Sequence, residues 1–267
     1  MHILFHTIAV EPARWTPQRV SQKLTELIPR IAGKGFKRLE IYEPHLTEVD
    51  EEEIKGLLAE HELGAVVLSS YLQVAPEKAD DEKFAADKNA LVARVKRFGF
   101  KKVRLFPGSG VSPKDEAATG IVAERVSQIA KELPEVGILL ETHDGSIADD
   151  AEAVVALVKR MNLPNVGLLW QPTVFEAEAA LKQFAVQKEL IRHVHLQNRN
   201  PDGSFSTLHA GVVPWEKILP QLDVDFTLEF VPSGICAVEK FDIETSLNEA
   251  VMEAEYVRAA SGRQIAS

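Results

Sequence analysis

The chain has 267 residues, 45% hydrophobic and 26% charged, which supplies enough apolar side chain for a sizeable core in one α/β domain. Forty acidic against thirty basic residues leave a formal charge of −10, which repels phosphate backbones and anionic membranes, so no nucleic acid and no membrane partner is expected. Cys236 is the single cysteine, which excludes an intrachain disulfide, and without a leader pattern or a run near the roughly 18 apolar residues of a membrane span, a cytoplasmic protein is expected.

Ile3 to Ile8 reads as a short buried strand with His6 near its end. Pro17 then opens a segment in which Val20, Leu24, Leu27, Ile28 and Ile31 recur at helical spacing, stopped by Gly33 and Gly35. Lys37 to Tyr42 is the second strand, ending in Glu43-Pro44-His45. Asp50 and the acids after it suit a helix N-terminus, with Ile54, Leu57 and Leu58 as its buried face. Ala65 to Ser69, Asp80 to Phe98, Lys101 to Phe106 and Pro113 to Leu133 continue the alternation as strand, helix, strand, helix. Gly108-Ser109-Gly110 lacks the lysine and hydroxyl ending of a phosphate loop and reads as a turn.

Val136 to Asp144 is the fifth strand, where period two puts Leu139, Glu141 and His143 on one face. The helix from Ile147 to Met161 follows, with Val154, Val155 and Val158 on its apolar stripe. Val166 to Trp170 is the sixth strand, closed by Gln171-Pro172, and Phe175 to Lys188 its helix. Ile191 to Gln197 is the seventh strand. A polar loop follows, containing Arg199, Asn200-Pro201-Asp202-Gly203 and His209-Ala210-Gly211. Trp215 to Leu219, Phe226 to Phe230 and Glu244 to Ala259 complete the pattern, with a small polar tail after Ala259. Eight strand-helix alternations without a linker or composition break predict one (β/α)8 barrel domain over residues 1–267. An open doubly wound sheet would need a switch point and usually a glycine fingerprint, and neither is found.

In such a barrel the inward-facing strand ends meet at the C-terminal face. They are Glu141 and His143, Gln171, His193 with His195 and Gln197, and Glu229, which shares its side with Thr227. Two glutamates and an imidazole suit Mn²⁺ or Mg²⁺, and the same donors also take Zn²⁺. Such an ion can hold the carbonyl and hydroxyl oxygens of a sugar, while Glu141 and Glu229 move the α proton as general acid and base. The plainer alternative is a set of buried polar groups satisfying one another, which is the expected role of His193.

Leu140-Glu141-Thr142-His143, Gly167-Leu-Leu-Trp170, His193-Val-His195-Leu and Leu228-Glu229-Phe, with Val103-Arg104-Leu-Phe-Pro107-Gly108, resemble the xylose isomerase-like barrel superfamily. The likeness is to its sugar phosphate isomerase/epimerase group and covers essentially the whole chain. The resemblance implies a divalent metal on Glu141, His195 and Glu229. At the family's aspartate stands Gln171, a neutral ligand, and at its following histidine stands Val174. It further implies substrate contacts from Arg199 and His143, with His6 and Arg104. The expected activity is isomerisation or epimerisation of a small ketose or polyol-derived ketone, which leaves room for a homo-oligomer. A dehydratase of keto-inositol type shares the enolisation. A carbohydrate-binding barrel without metal or turnover is the alternative that Gln171 and Val174 support. An apurinic-site endonuclease would need more histidines and acids at the strand ends and a basic surface.

Overall fold

The computed structural model describes residues 1–263. Its elements are β1 (Ile3–His6), α1 (Leu24–Gly33), β2 (Arg38–Tyr42), α2 (Glu51–Glu60), β3 (Gly64–Ser69), α3 (Asp81–Phe98), β4 (Lys102–Leu105) and α4 (Glu116–Glu132). Next come β5 (Gly137–Glu141), α5 (Ala151–Met161), β6 (Val166–Trp170), α6 (Ala177–Gln187) and β7 (Ile191–Leu196). The hairpin β8 (Asn198–Arg199) and β9 (Phe205–Ser206) precedes α7 (Trp215–Ile218), β10 (Asp225–Leu228) and α8 (Ile243–Ser261). The barrel strands close in the order β1-β10-β7-β6-β5-β4-β3-β2. The chain is therefore a (β/α)8 barrel, the fold that the alternation predicts. No helix among the described residues is long and apolar enough to cross a membrane.

Helix starts follow local chemistry. Asp50, Asp80, Asp115, Asp150 and Asp242 each cap a helix by accepting first-turn backbone N–H groups through the side chain. Gly99 and Gly262 take the left-handed conformation that ends α3 and α8.

The chain forms two compact units. The first comprises residues 1–66, 175–181 and 194–267. Here β1 lies parallel between β10 and β2, pairing Leu4 with Thr227 and His6 with Glu40. No helix begins at Pro17; α1 starts only at Leu24. The cause is Glu11, whose carboxylate accepts the backbone N–H groups of Ala13, Ser21 and Gln22 and so folds residues 11–22 into a loop. Leu57 is only half-buried, leaving Ile54 and Leu58 as the buried face of α2. The loop read between β7 and α7 contains the β8–β9 hairpin, pairing Asn198 with Ser206 and Arg199 with Phe205. Helix α8 continues to Ser261, and the end of the polar tail lies outside the described residues.

The second unit comprises residues 67–174 and 182–193. Strands β4, β5 and β6 are parallel neighbours, with Arg104 opposite Leu139 and Glu141 opposite Leu169. Strand β5 stops at Glu141. On α5 the buried residues are Val154, Leu157 and Val158, and Val155 is only half-buried. His193 is fully buried with Nδ1 3.2 Å from Lys102 Nζ, a satisfied core imidazole.

Candidate active site

In the first unit, β1, β2, β7 and β10 bring four of the chemistry-bearing side chains together. His6 Nδ1 accepts the backbone N–H of Ile8 at 3.1 Å, which puts its own proton on Nε2, 3.4 Å from Glu40 Oε1. His195 Nε2 lies 2.9 and 3.0 Å from the two oxygens of Glu40. The Glu40 carboxylate calls for the proton on Nε2, and Nδ1 faces Glu229 Oε1 at 3.4 Å. Ligand atoms of His6, Glu40 and His195 all lie within 4.8 Å of one another. Gln197 Nε2 donates to Glu229 Oε2 at 2.9 Å, and Trp215 Nε1 holds the Gln197 carbonyl at 3.1 Å.

This cluster fits a metal. A divalent cation between His195 Nδ1 and Glu229 would take a lone pair from each, and an imidazole nitrogen with a carboxylate oxygen is a donor set that such ions accept. A carboxylate behind a histidine is also the usual support for a ligating imidazole. His195 Nδ1 and Glu229 would be the donors, with Glu40 orienting the ring.

In the second unit, Glu141 is buried and held on both sides. Arg104 Nε lies 3.1 Å from Glu141 Oε2, and Gln171 Nε2 donates to Oε1 at 2.9 Å. Arg104 also donates to Ser69 Oγ and the Ser70 carbonyl, and its guanidinium lies 4.9 and 4.2 Å from the ring centroids of Tyr71 and Phe106. The Thr142 hydroxyl donates to the Gln171 carbonyl and accepts its N–H, both at 2.7 Å, so the first residue past β5 sets the first residue past β6. His143 does not share the face of Glu141 as alternation predicts. The chain has left the strand and turns at Gly145 with positive φ. The His143 ring stands half-exposed, 4.9 Å from Phe106 and 2.7 Å through Nδ1 from the Asp144 carbonyl.

Arg199 lies over Phe205 at 3.3 Å and Phe175 at 5.2 Å, at the base of the β8–β9 hairpin. Asn198 anchors that loop. It donates to the Leu208 and Val213 carbonyls and accepts the N–H groups of Arg199 and Val213.

Three features escaped the sequence reading. Glu40 lies inside the second strand, which was read without singling it out; its signal is a carboxylate between the apolar Leu39 and Ile41. Glu11 and His45 form a buried pair, Nε2 to Oε2 at 3.0 Å, with His45 Nδ1 2.9 Å from Thr7 Oγ1. Burial works to raise the Glu11 carboxyl, but hydrogen bonds from His45, Ser21 and Gln22 outweigh it and hold the pKa at about 2. Arg14 is drawn down to about 10 by burial, against the field of Glu11, Cys236 and Glu229.

Solved structures share this fold. The probable 3-DHS dehydratase AsbF of Bacillus anthracis, involved in petrobactin synthesis, is 19% identical, with 99% of this chain and 100% of that one covered at a TM-score of 0.74. D-Psicose 3-epimerase of Clostridium cellulolyticum H10, solved with D-tagatose, is 15% identical over 97% and 99% of the chains at 0.71. A xylose isomerase-like TIM barrel protein from Mycobacterium smegmatis, in complex with magnesium, is 15% identical over 98% and 97% at 0.71. No protein of curated function matches the sequence. The family model described as xylose isomerase-like TIM barrel matches residues 27–255, which takes in β2 through most of α8 and every strand end above except His6. By that match the chain belongs to the xylose isomerase-like TIM barrel family.

Proposed function

We propose that the protein is an isomerase- or epimerase-type enzyme that transfers a proton α to the carbonyl of a small ketose or polyol-derived ketone. Glu141 and Glu229 form the acid–base pair. One carboxylate removes the α proton; in epimerisation the other returns a proton to the opposite face of that carbon, and in isomerisation a proton goes to the former carbonyl carbon while the neighbouring hydroxyl proton passes to the carbonyl oxygen. His195 Nδ1 and Glu229 would hold a divalent cation, with Glu141 and the Gln171 amide oxygen proposed as further donors; Mn²⁺ or Mg²⁺ would suit this oxygen-rich set, and Zn²⁺ would take the same donors. When bound, such a cation would supply Lewis-acid stabilisation of the negative charge that develops on the substrate oxygens. Arg199 and His143 contact substrate oxygens. His6 and Arg104 are buried against Glu40 and Glu141, which favours their orienting those carboxylates from behind.

The observation that carries the reading is the His195 ring, with Nε2 taken by Glu40 and Nδ1 turned to Glu229. A keto-inositol-type dehydratase would begin with the same proton abstraction. The test is α-proton exchange in D2O, followed by NMR with Mn²⁺, over a panel of ketoses and cyclitol ketones. Exchange is expected for at least one, with Glu141→Gln and Glu229→Gln each lowering it roughly 100-fold or more. Binding without exchange for every ketone would instead support a carbohydrate-binding barrel without turnover.

A further inference from the structure

A cavity of about 410 Å³ lies between α8 and the loops after β9 and β10, within the size range of small-molecule sites. None of the strand-end side chains lines it. Asn248, Glu249, Met252 and Glu253 of α8 form its wall with His209 and Ser233. Glu253 is only 4% exposed, and Oε2 alone is used, accepting the Leu208 N–H at 3.0 Å. Glu249 Oε2 likewise takes the N–H and hydroxyl of Ser233. Among the described residues, Oε1 of Glu253 and Oε1 of Glu249 have no hydrogen-bond partner.

Among the described residues no lysine or arginine lines the cavity, and Lys34, which reaches Asn248 Oδ1, is already paired with Glu244. The other titratable groups nearby are His209, Tyr256 and Glu216; burial, then the charges of Glu216 and Glu253, raise the Tyr256 phenol. Desolvation, with the Glu249 charge behind it, likewise raises Glu253 to about 7. Such a carboxylate is costly to ionise until a positive donor reaches it. Among the described residues, Glu249, Glu253 and His209 do not converge within 4.8 Å as three ligands of one metal would. The match is an N–H donor that carries its own charge. We propose that the cavity binds a small primary amine in its ammonium form, its head on Glu253 Oε1 beside the Glu249 charge and its apolar body on Met252. The ammonium makes a charge-assisted hydrogen bond, and the alkyl chain covers part of Met252, which is 67% exposed. The site is independent of the catalytic reading.

The test titrates the full chain, isotope-labelled on the methyls of its three methionines, with n-butylamine, n-butanol and Mg²⁺, followed by NMR. Met252→Leu assigns the reporting methyl signal. At pH 8 n-butylamine should shift that signal saturably, with n-butanol roughly 10-fold weaker or more. Affinity should fall roughly 10-fold from pH 8 to pH 6, because Glu253 takes up its proton near 7. Protonation of His209 would act in the same direction, and Glu253→Gln separates the two. That variant keeps the acceptor for Leu208; it should bind the amine roughly 10-fold more weakly at pH 8 and lose the pH dependence. Glu249→Gln should weaken binding roughly 3-fold, which tests the field without touching Glu253. Equal binding of amine and alcohol, or undiminished amine binding by Glu253→Gln, overturns the proposal. So does the absence of a saturable Met252 shift with the amine, a tighter response to Mg²⁺ than to the amine, or a pH dependence that survives in Glu253→Gln.

Discussion

Glu40 straddles the Nε2 hydrogen of His195, its two carboxylate oxygens at 2.9 and 3.0 Å from the ring nitrogen. The two residues lie on different strands, so barrel closure and not local sequence creates the pair. A carboxylate in this position raises imidazole basicity and fixes the ring for ligation through Nδ1. Replacing Glu40 by Gln keeps an acceptor oxygen but removes the charge. Mn²⁺ affinity by calorimetry is expected to fall roughly 10- to 100-fold, and an unchanged affinity would take His195 out of the metal site.

Glu11 makes the acid limb of stability. Its folded pKa of about 2 lies below the ordinary 4.5. A depressed carboxylate contributes stability that is present above about pH 4.5 and lost as pH falls toward 2. The shift corresponds to something on the order of 3 kcal/mol at neutral pH. Glu11→Gln should lower stability at pH 7 by an amount of that order, and the gap to the parent should close as pH falls from 4.5 to 2. Urea melts across that range give the measurement, and a gap independent of pH would assign the loss to packing.

Glu253 acts in the opposite direction. Its side chain is buried on α8, where desolvation raises the carboxyl to about 7, against the N–H that Leu208 donates and with Glu249 adding to the rise. The native state therefore binds a proton between pH 4.5 and 7 that the unfolded chain has released, and stability falls as pH rises through that window. Glu253→Gln keeps the acceptor for Leu208 and removes the ionisation. The variant should match the parent below pH 4.5 and exceed it above pH 7, by up to about 3 kcal/mol, as seen in thermal melts at pH 4.5 and 8.

Strands and helices were legible because each carries its own signal. Val166–Trp170 reads from the sequence to the residue, since an all-apolar run between a helix end and Gln171-Pro172 has one interpretation. The α1 start was misread because one carboxylate, Glu11, takes the backbone donors that a helix from Pro17 would have used. Strand ends made Glu141, Gln171, His195 and Glu229 candidates, because each follows an apolar run that reads as a buried strand. Glu40 stayed hidden because its meaning comes from register with His6 and closure onto His195, both long-range. His143 was placed by alternation carried two residues past the point where the ladder ends.

Gln171 tests the charge requirement of the proposed metal site. Its Nε2 donates to Glu141 Oε1 at 2.9 Å, so a Gln171→Asp substitution would replace a donor with a second carboxylate, one methylene further back but still facing Glu141. Two carboxylates that close repel unless a proton or cation joins them. Without metal, the variant should melt roughly 2–8 °C lower, the equivalent of about 1–2 kcal/mol. With Mn²⁺ the added anionic oxygen ligand should strengthen binding, and Tm should recover to or above that of the parent. Calorimetry and melts on both proteins, stripped and reloaded, separate the cases. Micromolar Mn²⁺ binding by the parent would mean that a neutral amide suffices beside Glu141, His195 and Glu229. Binding by the variant alone would mean that Gln171 has tuned the natural site away from metal, and the acid–base roles given to Glu141 and Glu229 would then have to operate without one.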